Sequence, residues 1–379
     1  MERKDQRITV LHLCEHFGGK ESSLHGPARA FQWWIPSFDA RRFRVLLCSR
    51  KGYDKAAQQM IEAGVPPLYL GYGKTDPRNL IALIRLVRRE KVDIIHAHGY
   101  GACTWGRLVG LLLRIPVIVH ERCNYSTVPF PQRMVEWLLA PLTKYAFAVS
   151  ESTRQFTIEK RYIKAGAVMT LYNGILLDRL PKVDPDWVKK TRASLGAAGN
   201  EMVIGMVGRL EAQKGHTDAL LAFQKVARDF PAARLWIVGD GTREAEIRTQ
   251  IEALGLSHMV TMLGYRSDAK QLMQCFDIML FASHHEGTPN TLYEALAMGR
   301  ACVASTADGL GEILEEGKTA LLFAPGDVEA MARQLERVLA DAPQRQALAD
   351  QALIRAKDFD GMRCVHTMET TYEKIMSGK

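Results

Sequence analysis

Short apolar runs alternate with longer amphipathic stretches along nearly the whole chain. ITVLHL, FRVLLC, PLYL, VDIIHA, PVIVH and YAFAVS read as strands of the first half. MVIGMVG, ARLWIVG, MVTMLG, DIMLFA, ACVAS and ALLF read as strands of the second. These runs are apolar at almost every position, which is the pattern of strands buried on both faces, as in parallel sheets. Between them lie segments with apolar residues at helical spacing, such as Asn79–Arg89 and Gly215–Arg228. Strand–helix alternation of this kind predicts an α/β protein built on doubly wound parallel sheets.

At 379 residues the chain is too long for one ordinary core, so two such sheets are expected. The boundary is placed in the polar, Pro- and Gly-containing stretch DRLPKVDPDWVKKTRASLGAAGN, with a short helix inside it from Pro185 to Leu195. This gives a first domain over residues 1–180, a linker over 181–200 and a second domain over 201–358. The tail at 359–379 reads as a helix that packs back on the first domain. Ligands of open parallel sheets bind beyond the carboxyl ends of the strands, so two facing domains are expected to form a cleft there.

Composition narrows the classes. Hydrophobic residues make up 47% and charged residues 24%, the balance of a globular protein. The longest apolar stretch, Leu108 to Val119, is interrupted by Arg114 and Pro116 and is too short to span a bilayer. The start, MERKDQRITVLHL, reads as a first core strand and not as a signal peptide. Seven cysteines without a CxxC pair imply free thiols and a reducing, cytoplasmic compartment. Charge is uneven. Residues 1–182 hold 28 Lys and Arg against 15 Asp and Glu (+13), and the rest hold 22 against 27 (−5), which together give the net +8. The first half is therefore suited to an anionic partner, either a membrane surface or a phosphorylated acceptor. Nucleic acid is not expected, since no recognition module accompanies the charge.

The strand ends carry the candidate chemistry. CEHFGGKESSLHGPARAF places Gly18 and Gly19 where backbone can approach a ligand. MVGRLEAQKGHTDALLAF places Arg209 and Lys214 on a loop that opens a helix, so two cations and a helix dipole share one strand end. IVGDGTREAEI resembles a dinucleotide fingerprint, but Glu244 stands where the third glycine belongs, so it reads as a tight turn. In SHHEGTPNTLYEALAMG a helix is expected with Thr288 or its neighbour as cap and Pro289 at its first position. Glu286 then lies in the loop and Glu294 inside the helix, while the amides of Gly287, Thr288, Asn290 and Thr291 are offered to a ligand. A carboxylate suits vicinal hydroxyls because it accepts two hydrogen bonds at once. Asp184-Pro-Asp186 is a DxD, but it sits in the linker with no buried strand ahead of it, and no metal is expected there.

Together these segments resemble glycosyltransferase family 4, the retaining family with the GT-B fold of two facing Rossmann-like domains. The resemblance runs through FGGKESSLHGPARAF, VDIIHAHGYGA, IPVIVHERCN, AVSES, LYNGILLD, GRLEAQKG, IVGDG and HHEGTPNTLYEALAMGRACVAS, in that order. It implies a nucleotide-diphosphate sugar as donor, a glycan, lipid-linked or lipopolysaccharide acceptor, and no metal or other cofactor. It also implies that Arg209 and Lys214 hold the donor diphosphate and Glu294 the ribose. Glu286 and the loop through Gly287, Thr288, Pro289, Asn290 and Thr291 contact the sugar. Gly18 and Gly19 approach the phosphates, and the base rests by Tyr265 and Arg266. The chain departs from the family at His120-Glu121-Arg122, where either His120 or Arg122 faces the sugar. It departs again at Asp308, which stands where relatives carry the first of two glycines. A sugar-nucleotide 2-epimerase of the same fold and a non-catalytic sugar-nucleotide-binding partner are the rival readings. The expected location is cytoplasmic, peripheral on the inner face of the membrane.

Overall fold

The computed structural model describes residues 6–18, 24, 26–124 and 128–378. The chain divides into two compact units, Met1–Asn173 with Gly361–Lys379, and Gly174–Asp360. In the first unit, β1 (Ile8–Cys14), β2 (Phe43–Ser49), β3 (Leu68–Tyr69), β4 (Ile94–His98), β5 (Val117–Glu121), β6 (Tyr145–Ala148) and β7 (Val168–Thr170) form a sheet. Its order is β3-β2-β1-β4-β5-β6-β7. In the second, β8 (Met202–Val207), β9 (Ala233–Val238), β10 (Val260–Gly264), β11 (Ile278–Phe281), β12 (Ala301–Ser305) and β13 (Ala320–Phe323) run in the order β10-β9-β8-β11-β12-β13. The strand pairings within both sheets are parallel. Strand order therefore reverses beside β1 in one sheet and beside β8 in the other, which are the points where doubly wound sheets hold ligands.

The twelve expected strands are all present, and β7 is the one the hydropathy pattern missed. It is three residues long, pairs only with β6, and exposes Met169, so no continuous apolar run marks it. The unit boundary also lies earlier than residue 180. Ile175 N donates to Phe359 O at 2.8 Å, and Ile175 bridges Asp360, so the chain joins the second unit at Gly174. The segment read as a linker belongs to that unit too. Its helix, Pro185–Ser194, is fastened by Arg192, whose Nη1 donates to Cys275 O at 2.8 Å and to Asp277 Oδ2 at 3.0 Å. Asp184 of the DxD accepts from Asp186 N at 2.9 Å and serves as the cap of this helix.

The helix Gly361–Met376 belongs to the first unit, where Cys364, Val365, Met368 and Tyr372 pack with Phe31, Trp34 and Phe147. All seven cysteines are free thiols, and six of them are buried. Burial pushes Cys48, Cys302 and Cys364 up to about 12, so they behave as small apolar side chains.

One face of the first sheet carries an unusual polar seam. His12 on β1, His96 and His98 on β4 and His120 on β5 are fully buried, together with Tyr372 from the last helix. His98 Nε2 bonds His12 Nδ1 at 3.0 Å, and His12 Nε2 bonds the Tyr372 hydroxyl at 3.2 Å. That hydroxyl bonds His96 Nδ1 at 2.6 Å, and His96 Nε2 bonds His120 Nδ1 at 3.2 Å. Four neutral imidazoles and one phenol bring five protons to four bonds. The surplus proton sits at one end of the chain, where His98 Nδ1 and His120 Nε2 have no partner among the described residues. Burial, reinforced by the nearby Arg122 charge, pushes His12 down to about 3, and burial holds His96, His98 and His120 well below the usual range.

These rings are neutral when folded and protonate near pH 6.5 when unfolded, so the unfolded chain binds more protons below that pH. Their stabilisation is complete above about pH 6.5 and is lost as pH falls toward the depressed folded values. Denaturant unfolding of the first unit is expected to lose about 1.4 kcal/mol per pH unit for each such histidine on acidification from pH 6.5. Tyr372→Phe strands two ring nitrogens and should cost about 1–3 kcal/mol at pH 7.5 in the same measurement.

Candidate active site

The site is built at the carboxyl edge of the second sheet, and it begins with the loop after β8. A short 3-10 turn, Ala212–Lys214, leads into the helix His216–Ala227. Gly215 between them has φ 66°, and a Cβ there would lie 2.0 Å from Ala282 O at the end of β11. Only glycine permits that approach, and it brings Lys214 onto the neighbouring loop. Lys214 Nζ pairs there with Glu286 Oε2, and Gln213 O accepts from His284 N at 2.8 Å. Arg209, on the same loop, is exposed and has no side-chain hydrogen bond or ion pair to a described residue. His216 is buried behind this turn, and burial, with Lys214 beside it, pushes it down to about 4.

The IVGDG turn has a packing role. A Cβ on Gly239 would lie 1.8 Å from Gly208 O, and one on Gly241 would lie 2.5 Å from Leu210 O. Leu210 N donates to Asp240 O at 2.7 Å. The two glycines let this turn lie flat against the Arg209 loop and fix its path.

The loop after β11 supplies the carboxylates. Glu286 N donates to Asp308 Oδ2 at 2.8 Å, and Ser283 Oγ lies 3.4 Å from Glu286 Oε2. Asp308 holds φ 43°, a region side chains rarely enter, and Gly309 follows so tightly that a Cβ would meet Gly287 O at 1.8 Å. Asp308 is thus a stitch between the loops after β11 and β12. The helix starts at Asn290, not at Pro289, which sits extended just before it and removes one amide from the helix start. Thr288 and Pro289 are buried, while Asn290 and Thr291 are half-buried at the first turn. Glu294 is buried in the helix Asn290–Ala297, and Lys270 Nζ lies 3.0 Å from its Oε1.

The edge therefore brings Arg209, Lys214, Glu286 and the start of the Asn290–Ala297 helix together, with Glu294 about one turn further along that helix. Tyr265 and Arg266 follow β10 at the same edge, since Gly239 N donates to Gly264 O at 2.8 Å. Arg266 is paired with Asp268 at 2.7 and 2.8 Å. Sequence reasoning missed Ser283 and Lys270, and it assigned Asp308 no contact. No motif marks Ser283 or Lys270. Asp308 was visible only as a departure from a glycine pair.

In the first unit the picture changes. Gly18 pairs with Leu24, and Gly19 lies outside the described residues. His120 is fully buried, stacked on Trp34 at 5.5 Å and bonded to His96, so its ring serves the core seam. Arg122 Nη1 donates to Asn173 Oδ1 at 3.1 Å, and its guanidinium lies 4.3 Å over Trp34. Burial pushes it down to about 9. His12, His96 and His98 bring ring nitrogens within 4.8 Å of one another, a spacing that could hold a metal ion. The charged group acting on all three rings is cationic Arg122, which opposes a divalent ion, and His12 and His96 have both ring nitrogens engaged in the hydrogen-bonded seam.

Gly215→Ala is expected to lower the stability of the second unit by about 1–3 kcal/mol, because the residue would be strained and would press on backbone. It should also weaken nucleoside-diphosphate binding by about tenfold or more through the displaced Lys214. Denaturant unfolding and calorimetric titration check the two effects.

Comparison with known proteins identifies the family and the fold. Residues 34–179 match the family model described as Glycosyltransferase Family 4, and residues 188–355 match Glycosyl transferases group 1. The chain is 25% identical over 277 residues to the UDP-Gal:alpha-D-GlcNAc-diphosphoundecaprenol alpha-1,3-galactosyltransferase of Escherichia coli, covering 70% of this chain and 71% of that one. It is 28% identical over 283 residues to the 2-deoxystreptamine glucosyltransferase of Streptomyces kanamyceticus, covering 69% and 72%. Among solved structures, HepE of Anabaena in complex with UDP-glucose superposes with a TM-score of 0.81 at 23% identity, over 98% of this chain and all of that one. That likeness identifies the fold as GT-B. The two family models span 146 and 168 residues, 314 of the 379, and the chain belongs to glycosyltransferase family 4.

Proposed function

We propose that this enzyme moves a hexose or N-acetylhexosamine from a nucleotide-diphosphate sugar to a lipid-linked or lipopolysaccharide acceptor, with retention and without a metal. UDP is the first candidate nucleotide, because the Escherichia coli relative is named for UDP-Gal and HepE was solved with UDP and UDP-glucose. The observation that carries the reading is the Lys214–Glu286 pair at a helix start, with Arg209, which pairs with none of the described residues, on the same loop. Two cations and a helix dipole match a diphosphate, and a carboxylate already held by a lysine is placed to accept from sugar hydroxyls.

In the proposed reaction the bond between the anomeric carbon and the diphosphate oxygen breaks as the acceptor oxygen bonds to that carbon on the same face. The acceptor proton passes to the leaving diphosphate. Arg209, Lys214 and the amides of Gly287, Thr288, Asn290 and Thr291 stabilise the charge that gathers on the leaving group. Such preorganised electrostatics is usually the largest single contribution. Glu286 positions the sugar, and Glu294, steadied by Lys270, accepts from the ribose hydroxyls.

The charge balance supports a membrane-borne acceptor. Met1–Asn173 with Gly361–Lys379 holds 29 Lys and Arg against 16 Asp and Glu (+13), and Gly174–Asp360 holds 21 against 26 (−5). Among the described residues no helix is long and apolar enough to cross a membrane, so the proposed association is peripheral, on the inner face of the cytoplasmic membrane.

Arg209→Ala combined with Lys214→Ala should lower turnover by about 2–4 kcal/mol of transition-state stabilisation, or roughly thirty- to a thousandfold. Steady-state kinetics with a nucleotide-sugar and acceptor panel checks it. Near-wild-type turnover by the double variant contradicts the diphosphate assignment, and conversion of donor without acceptor points to an epimerase.

A further inference from the structure

The helix Phe130–Leu139 is built inside out. Phe130, Met134, Trp137 and Leu138 fall at i, i+4, i+7 and i+8, the spacing that ordinarily marks a core-facing stripe. Here the stripe faces solvent, with exposures of 70, 56, 65 and 66%. The inward side carries a charge beside buried Leu139. Glu136 is buried and pairs with Arg107 Nη1 at 2.8 Å, and Arg161 lies 3.6 Å from its other oxygen. The Arg107 contact fastens this helix to Tyr100–Leu113, whose last turn adds Leu111 and Leu112 at 57 and 58% exposure. Fourteen large hydrophobic side chains are exposed among the described residues, and six of them lie on these two helices. Scattered exposed apolar residues are ordinary, but a concentration of this kind marks a surface that is covered in use.

The charges around the stripe say by what. Between Arg107 and Ala148 the sequence contains two carboxylates, Glu121 and Glu136. Both are buried and paired with arginines. The exposed charges of the same stretch, Arg114, Arg133 and Lys144, are all positive. A protein partner would need its own apolar patch with a matching acidic border. An anionic leaflet offers both at once, taking apolar side chains at the boundary of headgroups and chains and pairing its phosphates with the cations. Tryptophan is at home at that depth.

We propose that the outward face of helices Tyr100–Leu113 and Phe130–Leu139 is a membrane-docking surface. It seats the first unit on an anionic lipid leaflet by shallow insertion of Phe130, Met134, Trp137 and Leu138. The inference rests on the lipid-borne acceptor read above and names the face that meets the lipid.

The test uses the full chain with vesicles of phosphatidylglycerol in phosphatidylcholine and with pure phosphatidylcholine vesicles. Wild type should co-sediment with the anionic vesicles, less so as salt rises. Trp137→Ser with Leu138→Ser should weaken that partitioning by about tenfold or more. The double variant should keep the wild-type melting point and its turnover on a water-soluble acceptor, since both side chains lie on the surface. Arg114→Glu with Arg133→Glu should weaken binding to anionic vesicles only. Brominated lipids should quench wild-type tryptophan fluorescence, and Trp137→Phe should remove most of that quenching. Binding of the Trp137/Leu138 variant equal to wild type overturns the proposal, as does failure of wild type to bind. A concentration-dependent dimer that the variant abolishes would assign the face to a second copy and overturn it too. Vesicle binding without turnover on any acceptor would instead contradict the enzymatic reading and leave the docking face standing.

Discussion

The candidate active site depends on backbone crowding at one edge of the second sheet. In a parallel sheet every strand ends on the same side, so the loops after neighbouring strands must share a narrow strip. Three glycines make that sharing feasible. A Cβ at Gly215 would lie 2.0 Å from Ala282 O, one at Gly239 would lie 1.8 Å from Gly208 O, and one at Gly309 would lie 1.8 Å from Gly287 O. Each clash would be with backbone, which cannot rotate away. Removing the side chain at these points lets three loops lie against one another, and the charged side chains then meet across short distances. The Lys214–Glu286 pair and the Asp308 carboxylate on Glu286 N are consequences of that packing.

The second unit has a large apolar cluster running from Ile204 through Val303 to Leu348, and buried Val203, Trp236, Phe276, Met279 and Leu292 lie outside it. The first divides its apolar residues among separate clusters and threads polar networks between them. One is the histidine–tyrosine seam. Another joins Arg107, Glu136, Arg161 and Glu121, two positive and two negative charges with little exposure. A third uses Glu15, which pairs with Arg50 and accepts from Ala102 N at 2.6 Å at the start of a helix. Gly101 leaves room beside it, since a Cβ there would lie 2.5 Å from Glu15 Oε1 and would push that carboxylate aside. Buried networks of this kind are costly when broken in part, since a lone buried charge or ring nitrogen loses its partner without regaining water. They also allow the Phe130–Leu139 helix to turn its apolar stripe outward, because buried Glu136, together with Leu139, anchors it inward.

Much of the fold was legible in the sequence because continuous apolar runs are a strong signal for strands covered on both faces. DIMLFA and ACVAS could be read as strands without any partner in view. Val168–Thr170 could not, because an edge strand of three residues has too few positions to form a pattern. The place of Arg209, Lys214, Glu286 and Glu294 at strand ends of the second sheet was legible through motif spacing, while the Lys270 contact with Glu294 was not, since it arises only from chain folding. His120 has surroundings that its place in the sequence did not show. A histidine at a strand end looks like a ligand contact, but its neighbours on adjacent strands, His96 and His98, make it part of a buried hydrogen-bonded chain. The Phe130–Leu138 stripe was legible as periodicity but not as direction, because spacing alone does not tell which face of a helix meets the core.

The central claim is that the carboxyl edge of the second sheet receives the donor diphosphate. Amide hydrogen exchange of the wild-type chain, with and without UDP and a UDP-sugar, tests it most directly. The account predicts slowed exchange at Gly208–Gly215 and at Glu286–Leu292 on binding, with the histidine seam unchanged. Binding that protects neither segment, or that protects only the first unit, would contradict it.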